Sequence, residues 1–151
     1  MAEEKGKESI KKFVVVLVRG LVGVNHKIKE TLKMLNLTRT NQAVVIEENK
    51  INLGMLIKVK DYVTWGDIDS ETYEELITKR GSEWLGRTSD GKSKYNYNKF
   101  IEINGKKYNK VFRLNPPRKG FGRKGIKRPF NTGGALGRRG EAINDLIKRM
   151  I

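Results

Sequence analysis

The sequence predicts an α+β fold in which three strands alternate with two helices and a basic extension follows. Three observations lead to this prediction. Residues 13–18 form a continuous apolar run, apolar residues recur at helical spacing over 24–36, and positive charge is concentrated in residues 81–151. A three-stranded sheet with both helices on one face would bury the apolar positions of all five elements. We therefore expect a β-α-β-α-β core with a charged segment attached to it.

The first half of the chain contains the five elements of that core. Residues 13–18 read FVVVLV, and a short β-branched run without polar alternation is typical of a central strand buried on both faces. Apolar residues at helical spacing predict an amphipathic helix over 24–36, and a shorter helix is expected at 52–61. The remaining strands are expected at 43–48 and 62–65. The first strand is the most apolar of the three and therefore belongs in the centre.

Three further elements are expected in the second half. Residues 69–80 predict a third helix, because they begin on capping residues and end before a glycine. The dipeptide Asn-Gly at 104–105 is the strongest short-range hairpin signal, and it predicts strands at 100–103 and 106–112. Residues 140–150 predict a closing amphipathic helix, which should dock on the domain through its apolar face.

Charge is distributed unevenly along the chain. The length of 151 residues favours one domain with an extension. Residues 1–80 contain 14 Lys and Arg against 12 Asp and Glu, whereas residues 81–151 contain 18 against 5. We expect a flexible N-terminus at 1–12, a globular core at 13–66 and a C-terminal extension at 67–151. The overall net charge of +15 indicates a polyanionic partner.

Composition argues against several classes of protein. The chain has no cysteine, which excludes disulfides and thiolate zinc sites, and its single histidine cannot form a metal site alone. No apolar run approaches the roughly 20 residues that span a bilayer. The N-terminus lacks the apolar core of a secretory signal. We expect a cytoplasmic protein with no membrane, metal, cofactor or homo-oligomeric partner.

The most informative stretch is residues 113–139. It holds nine basic residues, no acid, six glycines and three prolines. Such a composition offers too little apolar area to offset its own ordering entropy. We therefore expect the C-terminal third to owe its conformation to surrounding negative charge rather than to an interior of its own. Residues 115–139 should then be mobile in the free protein, and nucleic acid is the polyanion that fits best.

The sequence around the candidate motifs argues against catalysis and against dinucleotide binding. Residues 120–125 match G-x-G-x-x-G, but prolines stand just before and just after them, so no strand leads in and no helix follows. The glycines are instead expected to let backbone and basic side chains approach phosphates closely. No nucleophile–base arrangement or cluster of metal ligands is evident, and we predict no catalytic residue.

Two roles are considered for the histidine and for each of four aromatic residues. His26 is expected to be a surface residue rather than a phosphate or ribose contact. Trp65 and Trp84 are expected to pack in the core or at its rim rather than stack on bases. For Tyr95 and Tyr97, which lie among Lys and Asn, nucleotide stacking and loop disorder are equally open.

Four stretches of the chain resemble a known protein family. Residues 27–45 (KIKETLKMLNLTRTNQAVV) and 54–66 (GMLIKVKDYVTWG), together with FVVVLVRG before them, are similar to the L30/L7 family of large-subunit ribosomal proteins. Residues 115–140 resemble the long form found in archaea and eukaryotes. The basic N-terminal extension of the eukaryotic form is not seen, so the archaeal form is the expected match.

The resemblance implies both a fold and a role. The implied fold is ferredoxin-like, with an antiparallel three-stranded sheet in the order 3-1-2. The implied role is non-enzymatic: members bind large-subunit ribosomal RNA and help to hold it folded. The implied surroundings are neighbouring ribosomal proteins and, for the archaeal form, the nearby 5S ribosomal RNA.

The expected RNA contacts are basic residues of the core and of the extension, together with one asparagine. They are Arg19, Lys27, Lys29, Lys33, Arg39, Asn41, Arg113, Arg118, Lys119, Arg123, Lys124, Lys127, Arg128, Arg138 and Arg139. Two alternative functions share the same electrostatics: a free-standing RNA or DNA chaperone and, less well supported, an RNA-processing enzyme.

Overall fold

The computed structural model describes residues 11–151, so the predicted flexible segment 1–12 lies outside the described residues except for its last two. The first half of the chain forms the five predicted elements. They are β1 (Lys12–Leu17), α1 (His26–Met34), β2 (Gln42–Glu47), α2 (Lys50–Lys58) and β3 (Val63–Asp67). The bounds differ from the predictions by a few residues. For example, α1 begins at His26 because the side chain of Asn25 accepts a hydrogen bond from the Lys27 N–H at 3.1 Å.

The second half adds two helices, four short strands and two 3-10 turns at Phe130–Thr132 and Gly140–Ala142. The strands and helices are α3 (Ser70–Arg80), β4 (Phe100–Ile103), β5 (Lys106–Asn109), β6 (Val111–Arg113), β7 (Gly137–Arg138) and α4 (Ile143–Met150). The turn at Asn104 and Gly105 has φ angles of 50° and 76°, which confirms the predicted hairpin. The prediction of one continuous strand over 106–112 is wrong. The chain leaves the hairpin after β5, and the next residues form β6 in the main sheet.

The main sheet has five strands in the order β6-β2-β1-β3-β7. Its central three strands are antiparallel and have the predicted order 3-1-2, with Val15 of β1 opposite Val44 of β2 and Trp65 of β3. The two outer strands come from the extension: β6 is antiparallel to β2, and β7 is parallel to β3. The α+β prediction is therefore confirmed, with a wider sheet than expected.

One face of the sheet packs against α1 and α2, as predicted. The side chains of Phe13, Val15 and Leu17 on β1 point into this layer and are almost fully buried. Apolar residues of both helices complete the cluster, namely Leu32, Leu35, Leu56 and Val59. Full burial of a side chain of this size stabilises the folded state by about 1.5–3 kcal/mol relative to leaving it exposed.

The other face of the sheet packs against α3 and α4. Val14 and Val16 of β1 contact a second apolar cluster that the extension supplies. Its members include Leu76, Phe112, Ile143, Leu146, Ile147 and Met150, all of them fully buried. The expectation that the C-terminal third has no interior is therefore wrong, because a strand that is apolar on both faces needs a second layer to cover it. No helix within residues 11–151 has the length and apolar character that crossing a membrane requires.

Gly66 allows the extension to approach β3 closely. A Cβ atom at this position would overlap the carbonyl oxygen of Gly140 and the side chain of Ile143. The missing side chain therefore lets the start of α4 lie directly on the third strand.

We expect Gly66→Ala to lower the free energy of unfolding by about 1–3 kcal/mol, because an added methyl group must push α4 off the sheet. Urea denaturation measures this change. Gly54→Ala in α2 is the matched control, since a Cβ there meets nothing within 4 Å and the helix should gain about 0.5–1 kcal/mol. Equal stability of the two variants would contradict the close packing at Gly66.

Candidate nucleic-acid interface

The basic loop, residues 115–134, begins on the end of α4. The Asn115 N–H donates to the carbonyl oxygen of Met150 at 3.0 Å, and the Arg118 N–H donates to that of Arg149 at 3.2 Å. The Nη1 group of Arg149 donates in turn to the carbonyl oxygens of Arg118 at 2.9 Å and Gly120 at 2.7 Å. The first turn of the loop is thus held by the last turn of a buried helix.

The far end of the basic loop folds back on itself. The N–H groups of Ala135 and Leu136 both donate to the carbonyl oxygen of Arg128, at 2.9 and 3.1 Å. A Cβ atom on Gly134 would overlap that carbonyl, and one on Gly122 would overlap the carbonyl of Gly134. Two of the loop glycines therefore serve the internal packing of the loop, whereas the predicted close approach of its glycines to phosphates stays a prediction.

Arg139 lies in the interior, which corrects its predicted place in an exposed basic surface. Only 7% of the residue is exposed. Its Nε donates to Thr64 Oγ1 at 2.9 Å, and its Nη2 donates to the carbonyl oxygens of Phe121 at 2.6 Å and Ala135 at 3.2 Å. The guanidinium also lies over the Phe130 ring, 4.8 Å from its centroid. We call this set of contacts the Arg139 clamp, and we leave Arg139 out of the proposed RNA-contacting residues.

Burial, together with the smaller effect of the nearby Arg149 charge, lowers the pKa of the Arg139 guanidinium to about 10, while Asp145 acts in the opposite direction. The group therefore stays protonated at neutral pH. Its positive charge is stabilised by neutral oxygens and an aromatic face rather than by a directly paired carboxylate. The backbone N–H of Arg139 also donates to the carbonyl oxygen of Trp65 at 2.8 Å. The clamp thus joins β3 to the basic loop at Phe121 and Phe130, and to Ala135 just after the loop.

The other basic residues predicted between 113 and 139 are exposed. They are Arg113, Arg118, Lys119, Arg123, Lys124, Lys127, Arg128 and Arg138. Lys124 and Arg128 line a surface depression of about 510 Å³ together with Thr132. Arg138 is partly neutralised, because its Nη2 lies 3.6 Å from a carboxylate oxygen of Asp67. The structure therefore gathers most of these cations on an anchored loop that contains no acid.

A second basic group lies on the layer of α1 and α2. Lys27, Lys29 and Lys33 project from α1 and are exposed. Because α1 covers one face of the sheet and α4 covers the other, these lysines lie on the opposite layer from the helix that anchors the basic loop. The structure thus does not merge the predicted contacts into a single patch.

The turn between α1 and β2 presents Arg39. The Oε1 atom of Gln42 accepts three hydrogen bonds, from the Thr38 N–H at 2.9 Å, the Thr38 hydroxyl at 3.2 Å and the Arg39 N–H at 3.0 Å. The Arg39 side chain remains exposed. Gln42 is not among the predicted contacts, although a lone polar residue at the start of an apolar strand marks it out in the sequence.

Arg19 and Asn41 are half-buried and have internal contacts. The Arg19 guanidinium lies 5.1 Å from the centroid of the Tyr62 ring and donates to the carbonyl oxygen of Asp61 at 3.3 Å. Asn41 has a left-handed backbone with φ of 62°. Its N–H donates to the Leu17 carbonyl at 2.9 Å, and its carbonyl accepts from the Leu114 N–H at 3.0 Å. Asn41 therefore joins the start of β2 to the strand that leads into the basic loop.

The titratable residues between 11 and 151 form no recognisable reaction centre. His26 is exposed, with its Nε2 3.3 Å from a carboxylate oxygen of Glu30 one helical turn away. Within the described part of the chain, His, Asp and Glu do not gather into a group of three that could hold a metal ion. What the site offers chemically is positive charge on a folded framework.

Exposed basic residues clustered on a folded domain are the electrostatic signature of the nucleic-acid-binding class of proteins. Comparison with known proteins identifies the family. The family model of ribosomal protein L30p/L7e matches residues 13–63. The chain is 43% identical over 149 residues to "Large ribosomal subunit protein uL30" of Methanopyrus kandleri, an alignment that covers 89% of this chain and 100% of that protein.

Two further archaeal relatives carry the same name. The protein of Methanococcus vannielii is 44% identical over 152 residues, covering 92% of this chain and 99% of the relative. That of Nanoarchaeum equitans is 44% identical over 152 residues, covering 92% of this chain and 98% of the relative. The chain belongs to the ribosomal protein L30p/L7e family, a family of structural, non-enzymatic components, and the predicted resemblance to its archaeal form is confirmed.

We expect Arg139→Lys to lower the free energy of unfolding by about 2–3 kcal/mol, because a single ammonium group cannot replace three directed hydrogen bonds. Urea denaturation gives the change. Arg138→Lys is the control and should stay within about 0.5 kcal/mol of the original protein, since that side chain is exposed. Similar losses from both substitutions would argue against the clamp.

Proposed function

We propose that this protein is a structural constituent of the large ribosomal subunit that binds folded ribosomal RNA through exposed basic residues. The observation that carries the proposal is the acid-free basic loop, whose exposed cations are held in place by α4 and by the Arg139 clamp. Membership of the L30p/L7e family and relatives named as large-subunit proteins support it. The cytoplasmic ribosome is the corresponding location.

The mechanism is neutralisation of phosphates by a preorganised surface. Each phosphate that meets a Lys or Arg side chain releases a counterion, which favours binding at low salt. Arginines can bridge two phosphates from different strands, because the guanidinium has several donors in a fixed plane. Side chains cannot reach base edges in the deep groove of an RNA helix, so the shape of the folded RNA supplies most of the specificity.

The proposal assigns separate RNA contacts to the two layers. The basic loop would lie against one RNA segment, while Lys27, Lys29, Lys33 and Arg39 would meet another. Arg19 would contribute its remaining donors beside the first strand. Neighbouring ribosomal proteins and the nearby 5S ribosomal RNA are the partners that the archaeal form of the family suggests.

A free-standing RNA or DNA chaperone remains the second candidate, because the same electrostatics would serve it. Co-sedimentation with mature large subunits separates the two. A chaperone held only by surface charge should wash off at high salt, whereas an integral constituent should stay bound.

Binding of a large-subunit ribosomal RNA transcript should weaken steeply with salt. If about eight phosphates are engaged, log K should fall with log salt at a slope of roughly −6 to −7. Neutralising two loop cations in Lys124→Gln/Lys127→Gln should make that slope shallower by about 1.5. Filter binding over a range of salt concentrations measures both.

The charge-matched control is Lys79→Gln/Lys148→Gln. Both lysines already lie near acids, at 4.0 Å from Glu75 and 3.3 Å from Glu71 respectively. Their neutralisation should leave the slope unchanged. If the two double variants lost the same slope, the basic loop would not be the binding surface.

Hydrogen exchange should divide the extension into two parts. In the free protein we expect residues 118–133 to exchange faster than 135–139, because the latter include β7 and the Arg139 clamp. Adding the RNA transcript should slow exchange in 118–133. Unchanged exchange in 118–133 after the transcript is added would argue against this loop as the binding surface.

A further inference from the structure

A cleft of about 700 Å³ lies apart from the basic loop, where three segments that are distant in sequence meet. The turn between α1 and β2, with the first residue of β2, supplies Asn36, Thr38 and Gln42. The segment after α3 supplies Ser82 and Trp84, and the rest of the wall comes from residues 98–99 and 109–113. This volume falls within the range of roughly 300–1,000 Å³ that is typical of small-molecule sites.

The lining of the cleft combines positive charge with neutral hydrogen-bonding groups. Its cations are Lys99, Lys110 and Arg113, and none of its lining residues is an acid. A lining of this charge repels metal ions and cationic ligands and attracts an anion. The most exposed of these cations, Lys99 and Arg113, are not in ion pairs within residues 11–151.

The amide side chains of the cleft differ in the number of hydrogen bonds that they make within the protein. The Oε1 atom of Gln42 accepts three hydrogen bonds, and the Nδ2 group of Asn109 donates to Ser82 Oγ at 2.7 Å. By contrast, the side chains of Asn36 and Asn98 make no hydrogen bond to any described residue and lie exposed at the cleft. An amide offers a donor and an acceptor side by side, which is the pattern that matches the edge of a nucleobase.

Trp84 gives the cleft a fixed aromatic wall. Its backbone N–H donates to the Lys107 carbonyl at 2.8 Å, and its ring lies 6.3 Å from that of Phe100 and packs so closely on Gly86 that a Cβ there would overlap it. The indole Nε1–H is buried and finds no acceptor among residues 11–151. Because solvent cannot reach that atom, what Trp84 offers a ligand in the cleft is its ring rather than its N–H.

A short hairpin-like finger, residues 88–97, precedes the cleft residues Asn98 and Lys99. Ser89 and Asn96 form an isolated bridge, the Asp90 N–H donates to the Tyr95 carbonyl at 2.9 Å, and the Tyr97 N–H donates to the Thr88 carbonyl at 2.9 Å. Tyr95 is 62% exposed, and lysine ammonium groups lie over both tyrosine rings. Exposed aromatic rings beside cations are typical of surfaces on which unpaired bases stack.

We propose that this cleft binds one unpaired RNA nucleotide, with its base between Trp84 and the amides of Asn36 and Asn98 and its phosphates at Lys99, Lys110 and Arg113. The tyrosines of the finger receive a neighbouring base. The inference rests on the proposed RNA-binding function and adds to it a contact that reads bases. An unpaired nucleotide fits better than an acidic peptide, because a peptide would use the cations and leave the aromatic wall and the free amides without a role.

The experiment compares three probes of similar charge on the full-length protein: hexa-adenylate, an abasic ribose-phosphate hexamer and hexa-glutamate. Binding is followed by fluorescence anisotropy and by the indole N–H resonances of Trp65 and Trp84 in NMR spectra. We expect hexa-adenylate to bind about three- to tenfold more tightly than the abasic hexamer, because its base adds one or two hydrogen bonds and a stacking contact. The Trp84 indole resonance should shift, while that of the buried Trp65 should not.

Two variants test the named groups. Trp84→Leu keeps an apolar side chain beside Gly86 and removes the aromatic ring on which the base would stack. Asn36→Gly/Asn98→Ala removes both free amides, and glycine suits position 36 because its φ is 60°. Each variant should lose most of the preference for hexa-adenylate and bind the abasic hexamer as before. The amide spectrum reports whether each variant is folded, and the amide double variant tests the proposal if Trp84→Leu does not fold.

Some results would overturn the inference while leaving the proposed function intact. Equal binding of hexa-adenylate and the abasic hexamer would rule out the nucleotide site, and so would a Trp84 resonance that does not shift. Either result would stand even if Lys124→Gln/Lys127→Gln still weakened binding to the ribosomal RNA transcript. Tighter binding of hexa-glutamate with a shifted Trp84 resonance would assign the cleft to an acidic peptide instead. If neither set of variants weakened binding to the transcript, the proposed function itself would be overturned.

Discussion

The structure depends on burying both faces of the central strand β1. Phe13, Val15 and Leu17 face the layer of α1 and α2, while Val14 and Val16 face the opposite side of the sheet. Leaving the second face open to water would cost about 25 cal/mol for every Å² of apolar surface. The C-terminal extension, residues 67–151, supplies the cover through α3, β6 and α4. The segment that carries most of the charge is therefore also the segment that completes the core.

That double role creates a conflict, which the Arg139 clamp resolves. The basic loop between β6 and β7 carries like charges that repel one another, and it has few apolar side chains of its own. Burial of the Arg139 guanidinium is costly, as its lowered pKa indicates. Three hydrogen bonds and the Phe130 ring offset that cost and fix the loop relative to β3. One buried cation thus holds the exposed ones in position.

Anchoring has a consequence for the proposed binding of RNA. A loop whose ends are already fixed loses less conformational entropy when its side chains meet phosphates, so more of the electrostatic attraction appears as affinity. The lysines of α1 and Arg39 gain in the same way, because a helix and the turn organised by Gln42 hold them. The cations lie on both layers of the domain, an arrangement suited to a protein that RNA surrounds rather than one that docks on a single flat site.

The local part of this structure could be predicted from sequence. The apolar run at 13–18, the helical spacing of 24–36 and the Asn-Gly turn each arise from neighbours along the chain, and all three predictions are confirmed. The order of the three central strands came from the resemblance to the L30/L7 family and agrees with the structure. The exposure of most predicted cations also follows from composition, because charged side chains seldom lose their water.

Pairing and burial between distant segments were decided only by the tertiary structure. Strands β6 and β7 have three and two residues, too short for any periodicity, and they exist because a sheet edge lies beside them. Arg138 and Arg139 look alike in sequence, yet only the second faces the interior, where Thr64 and Phe121 offer oxygens to it. Asn36, Trp84 and Asn98 form one cleft although they come from three separate segments. The amino-acid order sets what each segment prefers locally, but contacts across such distances depend on which surfaces the folded core leaves beside one another.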